Sequence, residues 1–197
     1  MIVRRSVFPC IGAKPRASAA VPGLAMIGAV RAPPLTPLAA AVLHVPVPER
    51  ALVVECGDGD AVLFLAREFP AARVRGSDSS AAMVRAASAR VGLDPEGRVA
   101  FKRGKPGGLP YPDGFFDLVA QLEGHPAPSE VARVLRPGGH LILASSGRRR
   151  IFATWVERLL LRRLRRQGFV AVQAAEAGDG NFFVAQLGEG SASPRSD

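Results

Sequence analysis

Hydrophobic and polar positions follow no regular period up to about Pro34 and become periodic from Thr36 onward. Leu38 to Leu43 has the spacing of a short helix, Leu52 to Glu55 is a short apolar run that predicts a strand, and Ala61 to Glu68 predicts the helix that follows it. The alternation repeats with a strand over Val74 to Ser77, a helix over Ala81 to Val91 and a strand over Val99 to Lys102. In the second of these helices Met83, Val84, Ala87 and Val91 recur at helical spacing. A fourth strand is predicted over Phe116 to Leu122, a short helix over Ser129 to Leu135, and a fifth strand over Leu141 to Ala144 entered through the turn Pro137-Gly138-Gly139. A last helix spans Ile151 to Arg166 and stops near Gly168. Phe169 to Val172 and Phe182 to Gln186 then pair as a hairpin across Gly178-Asp179-Gly180-Asn181. Strands alternating with helices imply a parallel sheet joined by right-handed crossovers.

The first strand runs into a glycine turn, ALVVECGDG over residues 51 to 59. A tight turn of this kind lets backbone N–H groups approach a nucleotide-like ligand. Only Gly57 and Gly59 match the fingerprint, and no third glycine follows at its spacing, so the turn alone is a weak signal. About 20 residues further on, where a ribose-reading acid is expected, the second strand ends in Asp78. Its carboxylate has two readings, a ribose diol acceptor or an N-cap for the next helix, and Ser79 or Ser80 offers the cap instead.

Further signals follow: Leu109-Pro110-Tyr111-Pro112-Asp113-Gly114, then Phe116-Asp117-Leu118-Val119, then Arg133 to Gly139 (RVLRPGG). Together with the glycine turn these segments resemble the class I S-adenosylmethionine-dependent methyltransferases, in particular their small-molecule branch, over roughly residues 36 to 187. The resemblance implies an α/β, Rossmann-like fold with a mostly parallel seven-stranded sheet, a C-terminal antiparallel hairpin and helices on both faces. It implies S-adenosyl-L-methionine as cofactor and methyl transfer to an unidentified small or medium-sized acceptor.

The chain departs from that family's pattern at the cofactor motif. Val53 stands where the family carries an acid, Glu55 where it carries the first glycine, and Lys105 where it offers an Asp to the adenine. Residues i and i+2 of a strand share a face, which lets Glu55 replace the missing acid; the other reading leaves Glu55 in solvent. Lys105 has no acceptor for the adenine amino group, so adenine is left to backbone contacts and to packing against Pro106 and Met83. The cofactor residues implied are Glu55, Gly57, Gly59, Asp78, Ser79, Lys105, Pro106 and Gln121. Beyond the fourth strand, His125 is a candidate general base and Glu123 a residue that orients the acceptor, against the plainer reading of His125 as a loop histidine before Pro126. The departures keep a second function class open, a catalytically inactive relative that serves as a binding or scaffolding module.

Composition narrows the remainder. With 197 residues, 48% of them hydrophobic, the chain can bury one sizeable core, so a single domain over 35–187 is expected, flanked by a disordered extension (1–34) and tail (188–197). The apolar windows Val21 to Val30 and Leu35 to Val47 are shorter than the roughly 20 residues of a membrane helix and contain Pro22, Gly23, Pro37 and Pro46. Neither Cys10 nor Cys56 suggests a disulfide framework or metal site, and a cytoplasmic protein is expected. The acid-free start suits neither a transit peptide nor a secretory signal, and Met26 is an alternative first residue.

The net charge of +9 is uneven: residues 1–48 carry +5 and residues 148–166 carry +7, leaving −3 for the remainder. On the last helix Phe152, Trp155, Val156, Leu159, Leu160 and Leu164 make an apolar face, and Arg158, Arg162, Arg165 and Arg166 project beside it. Those arginines read either as a solvated face near a helix C-terminus or as a weak, non-specific site for an anionic partner.

Overall fold

The computed structural model describes residues 35–92, 94, 96–124, 126–146 and 155–189, with backbone alone for 155–157 and 171–172. Its seven strands are β1 (Arg50–Val54), β2 (Arg73–Asp78), β3 (Val99–Arg103), β4 (Phe116–Leu122), β5 (Leu135–Ser145), β6 (Phe169–Ala177) and β7 (Gly180–Leu187). The helices are α1 (Thr36–Ala41), α2 (Asp60–Glu68), α3 (Ala81–Arg90), α4 (Pro128–Val134) and α5 (Trp155–Arg166). A 3₁₀ turn, Val42–His44, follows α1.

The strands lie in the order β3-β2-β1-β4-β5-β7-β6. All neighbours are parallel except the β5–β7 and β6–β7 pairs, so the C-terminal hairpin closes one side in the antiparallel sense. The chain winds outward from β1 to β3, returns to β4, and winds outward on the other side. The C-terminal ends of β1 and β4 therefore border the topological switch point, where open α/β sheets bind ligands.

Two hydrophobic layers cover the sheet. One face carries Ala51, Val53, Leu118, Ala120 and Ile142 against Leu38 and Ala41 of α1 and Ala61, Val62 and Leu65 of α2. The opposite face carries Leu52, Val54, Val119, Leu141 and Leu143 against Val131 and Val134 of α4 and Leu164 of α5. Val53 and Val54 are both almost fully buried, because a central parallel strand has helices on both sides.

The signature segments form a brace. Arg133 on α4 donates to Glu130, to Asp113 and to the backbone carbonyls of Leu109 (3.1 Å) and Tyr111 (2.9 Å). Glu130 in turn accepts from Leu109 N at 2.6 Å. The Arg133 guanidinium holds the Glu130 carboxyl below its usual range, and Glu130 raises the pKa of Arg133. Asp117, nearly buried, accepts from the backbone N of Glu49 (2.7 Å) and Arg50 (2.8 Å) and pairs with Arg136 at 2.8 Å.

Five elements differ from the sequence reading. Strand β1 spans Arg50–Val54 rather than Leu52 to Glu55, so Glu55 lies past the strand and does not share the face of Val53; it meets Gln121, which pairs with Val54. Strand β5 begins at Leu135 rather than Leu141: Leu135 pairs with Phe116 and His140 with Leu118, so Pro137-Gly138-Gly139 is an excursion within the strand and not its entry. The hairpin strands reach inward to Ala177 and Gly180, leaving Gly178 and Asp179 at the turn. Described α5 starts at Trp155; Phe152 and the stretch 151–154 lie outside the described residues, as do the expected extension over 1–34 and, from residue 190, the expected tail over 188–197. On α5 the packed stripe is Leu160, Leu161 and Leu164, while Leu159 is 39% exposed, because i, i+1 and i+4 face the sheet together.

Candidate functional site

At the switch point β1 ends in Val54 and the chain turns at once through Glu55. This residue has φ 53°, a left-handed conformation that a side chain disfavours by roughly 1–2 kcal/mol. Glu55 thus stands at the first-glycine position with a glycine-like backbone. At the end of β4, Glu123 has φ 51°. Among the described residues these are the two non-glycine positions in that region, one on each side of the switch point.

The Glu55 side chain is held across the gap between the strands, where its Oε2 accepts from Gln121 Nε2. Gly124 lies over this contact; a Cβ there would sit 2.8 Å from Glu55 Oε2 and 2.8 Å from Gln121 Nε2. Gln121 is 1% exposed, and its Oε1 is buried without a hydrogen-bond partner. So is the hydroxyl of Ser77, also 1% exposed. In register Ser77 pairs with Val54 and Val54 with Gln121, so both orphaned atoms flank the last residue of β1 on one face of the sheet. An unpaired buried acceptor costs roughly 1–3 kcal/mol, which marks this row as a place where the protein leaves polar capacity open.

The glycine turn is pinned from three directions. Gly57 N donates to Asp78 Oδ2 at 2.9 Å, and Cys56 N donates to Ser77 O at 3.1 Å. Gly59, at φ 94°, would with a Cβ press on Ala87 and Phe101 at 3.1 Å, so it is the residue that lets α3 and β3 close on the turn. Arg90, at the end of α3, pairs with Asp58 at 2.8 Å and with Asp60 and so clamps the front of the turn. Burial, with Asp78 nearby, pushes the Cys56 thiol up to about 12, leaving it neutral near pH 7.

Asp78 lies at the tip of β2. Its Oδ1 accepts from Ser80 N at 2.8 Å, while Ser80 Oγ caps α3 by accepting from Met83 N at 3.3 Å. The cap belongs to Ser80, and Asp78 keeps acceptor capacity beyond its two backbone donors, since a carboxylate has about four lone-pair sites. Ser79 is exposed, and its carbonyl accepts from Arg103 Nε at 3.1 Å. Lys105 and Pro106 lie on the turn closed by the Lys105–Gly108 bridge, tied to β2 through Gly104 N and Asp78 O at 3.0 Å. Met83 is 43% exposed at the start of α3.

The structure brings together Glu55, Gly57, Gly59, Asp78 and Gln121 around the ends of β1, β2 and β4. Glu123 is engaged at the rim: its carboxylate accepts from Ser145 Oγ (3.1 Å), Ser146 Oγ (2.7 Å) and Ser146 N, which ties the end of β4 to the end of β5. His125 lies outside the described residues. Sequence reasoning missed Ser77, Gly124 and Arg90. Ser77 was adjacent to the acid that was found, whereas nothing local distinguished Arg90, whose partners lie about 30 residues away.

Acceptors at the strand ends, a glycine turn with open space on the Cβ side of Gly57 and a carboxylate at the tip of β2 define a nucleotide-type cofactor crevice on a doubly wound sheet. A methyltransferase-domain family model matches residues 51–139. The chain is 36% identical over 104 residues to phthiotriol/phenolphthiotriol dimycocerosates methyltransferase 1 of Mycobacterium ulcerans (strain Agy99), covering 48% of this chain and 36% of the relative. It is 34% identical over 114 residues to the fatty-acid O-methyltransferase of Mycolicibacterium smegmatis (strain ATCC 700084 / mc(2)155), covering 54% of this chain and 40% of the relative. It thus spans less than half the length of these relatives. Among solved structures it is similar to a SAM-dependent methyltransferase from Aquifex aeolicus, with a TM-score of 0.64 and 18% identity over 78% of this chain and 90% of that one. Residues 51–139, which hold the glycine turn, Asp78 and Gln121, thus match a methyltransferase domain.

Proposed function

We propose that this chain transfers a methyl group from S-adenosyl-L-methionine to a small or medium-sized acceptor. The observation that carries the reading is the buried Gln121 Oε1, unpartnered beside the Glu55 carboxylate. Two acceptors at one point, under a glycine with no side chain to fill the space, suit the ammonium group of an amino acid. That donor set fits the amino-acid end of the cofactor, and Glu55 takes over the part of the acid that Val53 replaces. The Asp78 carboxylate would accept the ribose hydroxyls, and Gly57 and Gly59 would let the backbone come close. Ser79, Lys105, Pro106 and Met83 would border the adenine. When bound, the cofactor supplies an electrophilic methyl group on a sulfonium.

The chain's own contribution to the transfer is orientation and exclusion of water, which suffice for a reaction governed by alignment. Glu123 is a positioning residue in this reading: its three bonds to Ser145 and Ser146 fix the rim from which the loop bearing His125 departs. His125 would take the proton of an acceptor that must lose one. The two curated relatives carry names that speak of phthiotriol and of fatty acid, and we extend a lipid-like or small-molecule acceptor to this chain on that basis.

The domain of this reading is 35–187. We place it in the cytoplasm, where a free, buried Cys56 is at home; among the described residues no helix is long and apolar enough to cross a membrane. Arg158, Arg162, Arg165 and Arg166 are exposed and, among the described residues, stand in none of the ion pairs, so weak non-specific anion binding that falls with salt accompanies the reading.

Calorimetric titration with S-adenosylmethionine tests the assignment. The parent binds, and Asp78→Ala loses roughly 1.5–3 kcal/mol, the value of a hydrogen bond to a charged group. Unchanged affinity in the variant removes Asp78 from the site. Absence of binding by the parent turns the chain into the non-catalytic relative.

A further inference from the structure

On the face of the sheet that α5 covers, a cavity of about 130 Å³ lies between that helix and the C-terminal hairpin. Its walls are Leu161 and Leu164 of α5, Phe169 of β6, and Phe183 and Ala185 of β7. Leu164, Phe169, Phe183 and Ala185 are buried, whereas Arg165 and Ala174, which complete the lining, are exposed and mark its open side. The register of β6 slips between Ala171 and Gln173, just before Ala174, and a bulge of this kind bends an edge strand locally. The mouth thus combines a small side chain with a guanidinium.

We propose that this cavity binds a small amphiphilic carboxylate, with the apolar body between Leu161, Leu164 and Phe183 and the carboxylate on Arg165. Size limits the body: an apolar cavity of about 150 Å³ takes a benzene ring, so a phenyl group or a short alkyl chain matches this one. Charge selects the head. Arg165 stands in none of the ion pairs among the described residues, and Arg158 and Arg162 share its helix face at the i, i+4, i+7 spacing, which raises the local positive potential. A planar guanidinium receives a carboxylate through two parallel hydrogen bonds.

The site is separate from the cofactor crevice. Phe183 pairs with Leu143 and Leu143 with Gln121, which places the cavity floor two strands from Gln121, roughly 10 Å at the spacing of neighbouring strands. The inference shares its arginines with the weak anion binding proposed above but requires in addition a shaped apolar volume, and that difference is what the experiment reads.

The test is a ¹H–¹⁵N NMR titration of the full chain with phenylacetate, benzyl alcohol and acetate. Phenylacetate is expected to saturate on the order of 0.1–1 mM, as suits a ligand of this size, with shifts concentrated on Leu161, Leu164 and Phe183. Benzyl alcohol binds more weakly at the same residues, and acetate does not saturate. Ala174→Phe, an exposed position where a strand favours an aromatic residue, fills the mouth and lowers phenylacetate affinity at least about tenfold, while salt-sensitive binding to a random oligonucleotide and affinity for S-adenosylmethionine stay as in the parent. Arg165→Gln, a surface change that keeps a good helix former, lowers phenylacetate affinity several-fold and leaves benzyl alcohol unaffected. Failure of phenylacetate to saturate, equal binding by Ala174→Phe, or acetate binding as well as phenylacetate overturns the proposal.

Discussion

Two polar regions of this molecule are built on opposite terms. Around Arg133 and Asp117 the described charges meet designated partners: Arg133 spans Glu130, Asp113 and two carbonyls, and Asp117 takes two backbone N–H groups and Arg136. At the ends of β1, β2 and β4, by contrast, Ser77 Oγ and Gln121 Oε1 are buried without partners, and Glu55 and Glu123 hold left-handed backbone conformations. The first region spends its polar groups on the fold. The second holds strain and open acceptors where a ligand can use them, the pattern expected of a functional site. The segments that carry the resemblance to methyltransferases, LPYPDG and RVLRPGG, belong to the first region, and the proposed cofactor contacts belong to the second.

The largest expected effect comes from breaking the brace. Arg133→Met leaves Glu130 without its cation and frees two carbonyls, and should lower unfolding free energy by roughly 2–4 kcal/mol in a urea titration. A loss under about 1 kcal/mol would show that the 109–113 segment holds itself in place. In the crevice the same kind of change should cost less. Glu55→Gly relieves the backbone at φ 53° but leaves the buried Gln121 Nε2 without its partner, so the two effects largely offset and stability moves by no more than about 1 kcal/mol while S-adenosylmethionine affinity falls. A clear destabilisation would place Glu55 with the fold and not with the ligand.

The smallest effect is a pH dependence outside both regions. Burial lowers the pKa of His140 on β5 below its ordinary 6.5. Between the folded value and 6.5 the unfolded chain binds the additional proton, so this residue's contribution to stability is lost as pH falls through that window and is complete above it. In melts from pH 7.5 to pH 5.5, His140→Gln should flatten the acid-side decline. An identical slope in parent and variant would assign the decline to carboxylates such as Glu130, whose lowered pKa matters only at more acid pH.

The contrast also explains what could be read in advance. Strand and helix order was legible because each element carries its own period: β4 was placed to the residue at Phe116 and Leu122, since its apolar residues run from Phe116 to Leu122, interrupted only by Asp117 and Gln121, and glycines stand close on either side at Gly114 and Gly124. The start of β5 was not, because Pro137-Gly138-Gly139 reads locally as a turn, and only pairing of Leu135 with Phe116 draws it into the sheet. In the crevice the departures themselves, Val53 and Glu55, were visible. Their consequence was not, because it depends on Gln121 reaching Glu55 from 66 residues away and on the space left by Gly124. The cap on α3 shows the same limit: Ser79 and Ser80 were equal candidates until geometry gave Ser80 the bond to Met83 N.

The central claim is that the orphaned Gln121 Oε1 is held open for a ligand, and titration of S-adenosylmethionine into the parent and into Gln121→Met tests it most directly. Methionine keeps the volume and removes both the unpaired acceptor and the donor to the exposed Glu55, which water can replace, so the account predicts an unliganded thermal midpoint close to or above that of the parent, together with at least a tenfold weaker affinity. Equal affinity in the two proteins, or a lower midpoint with affinity preserved, would show that Gln121 serves the fold and would contradict the account.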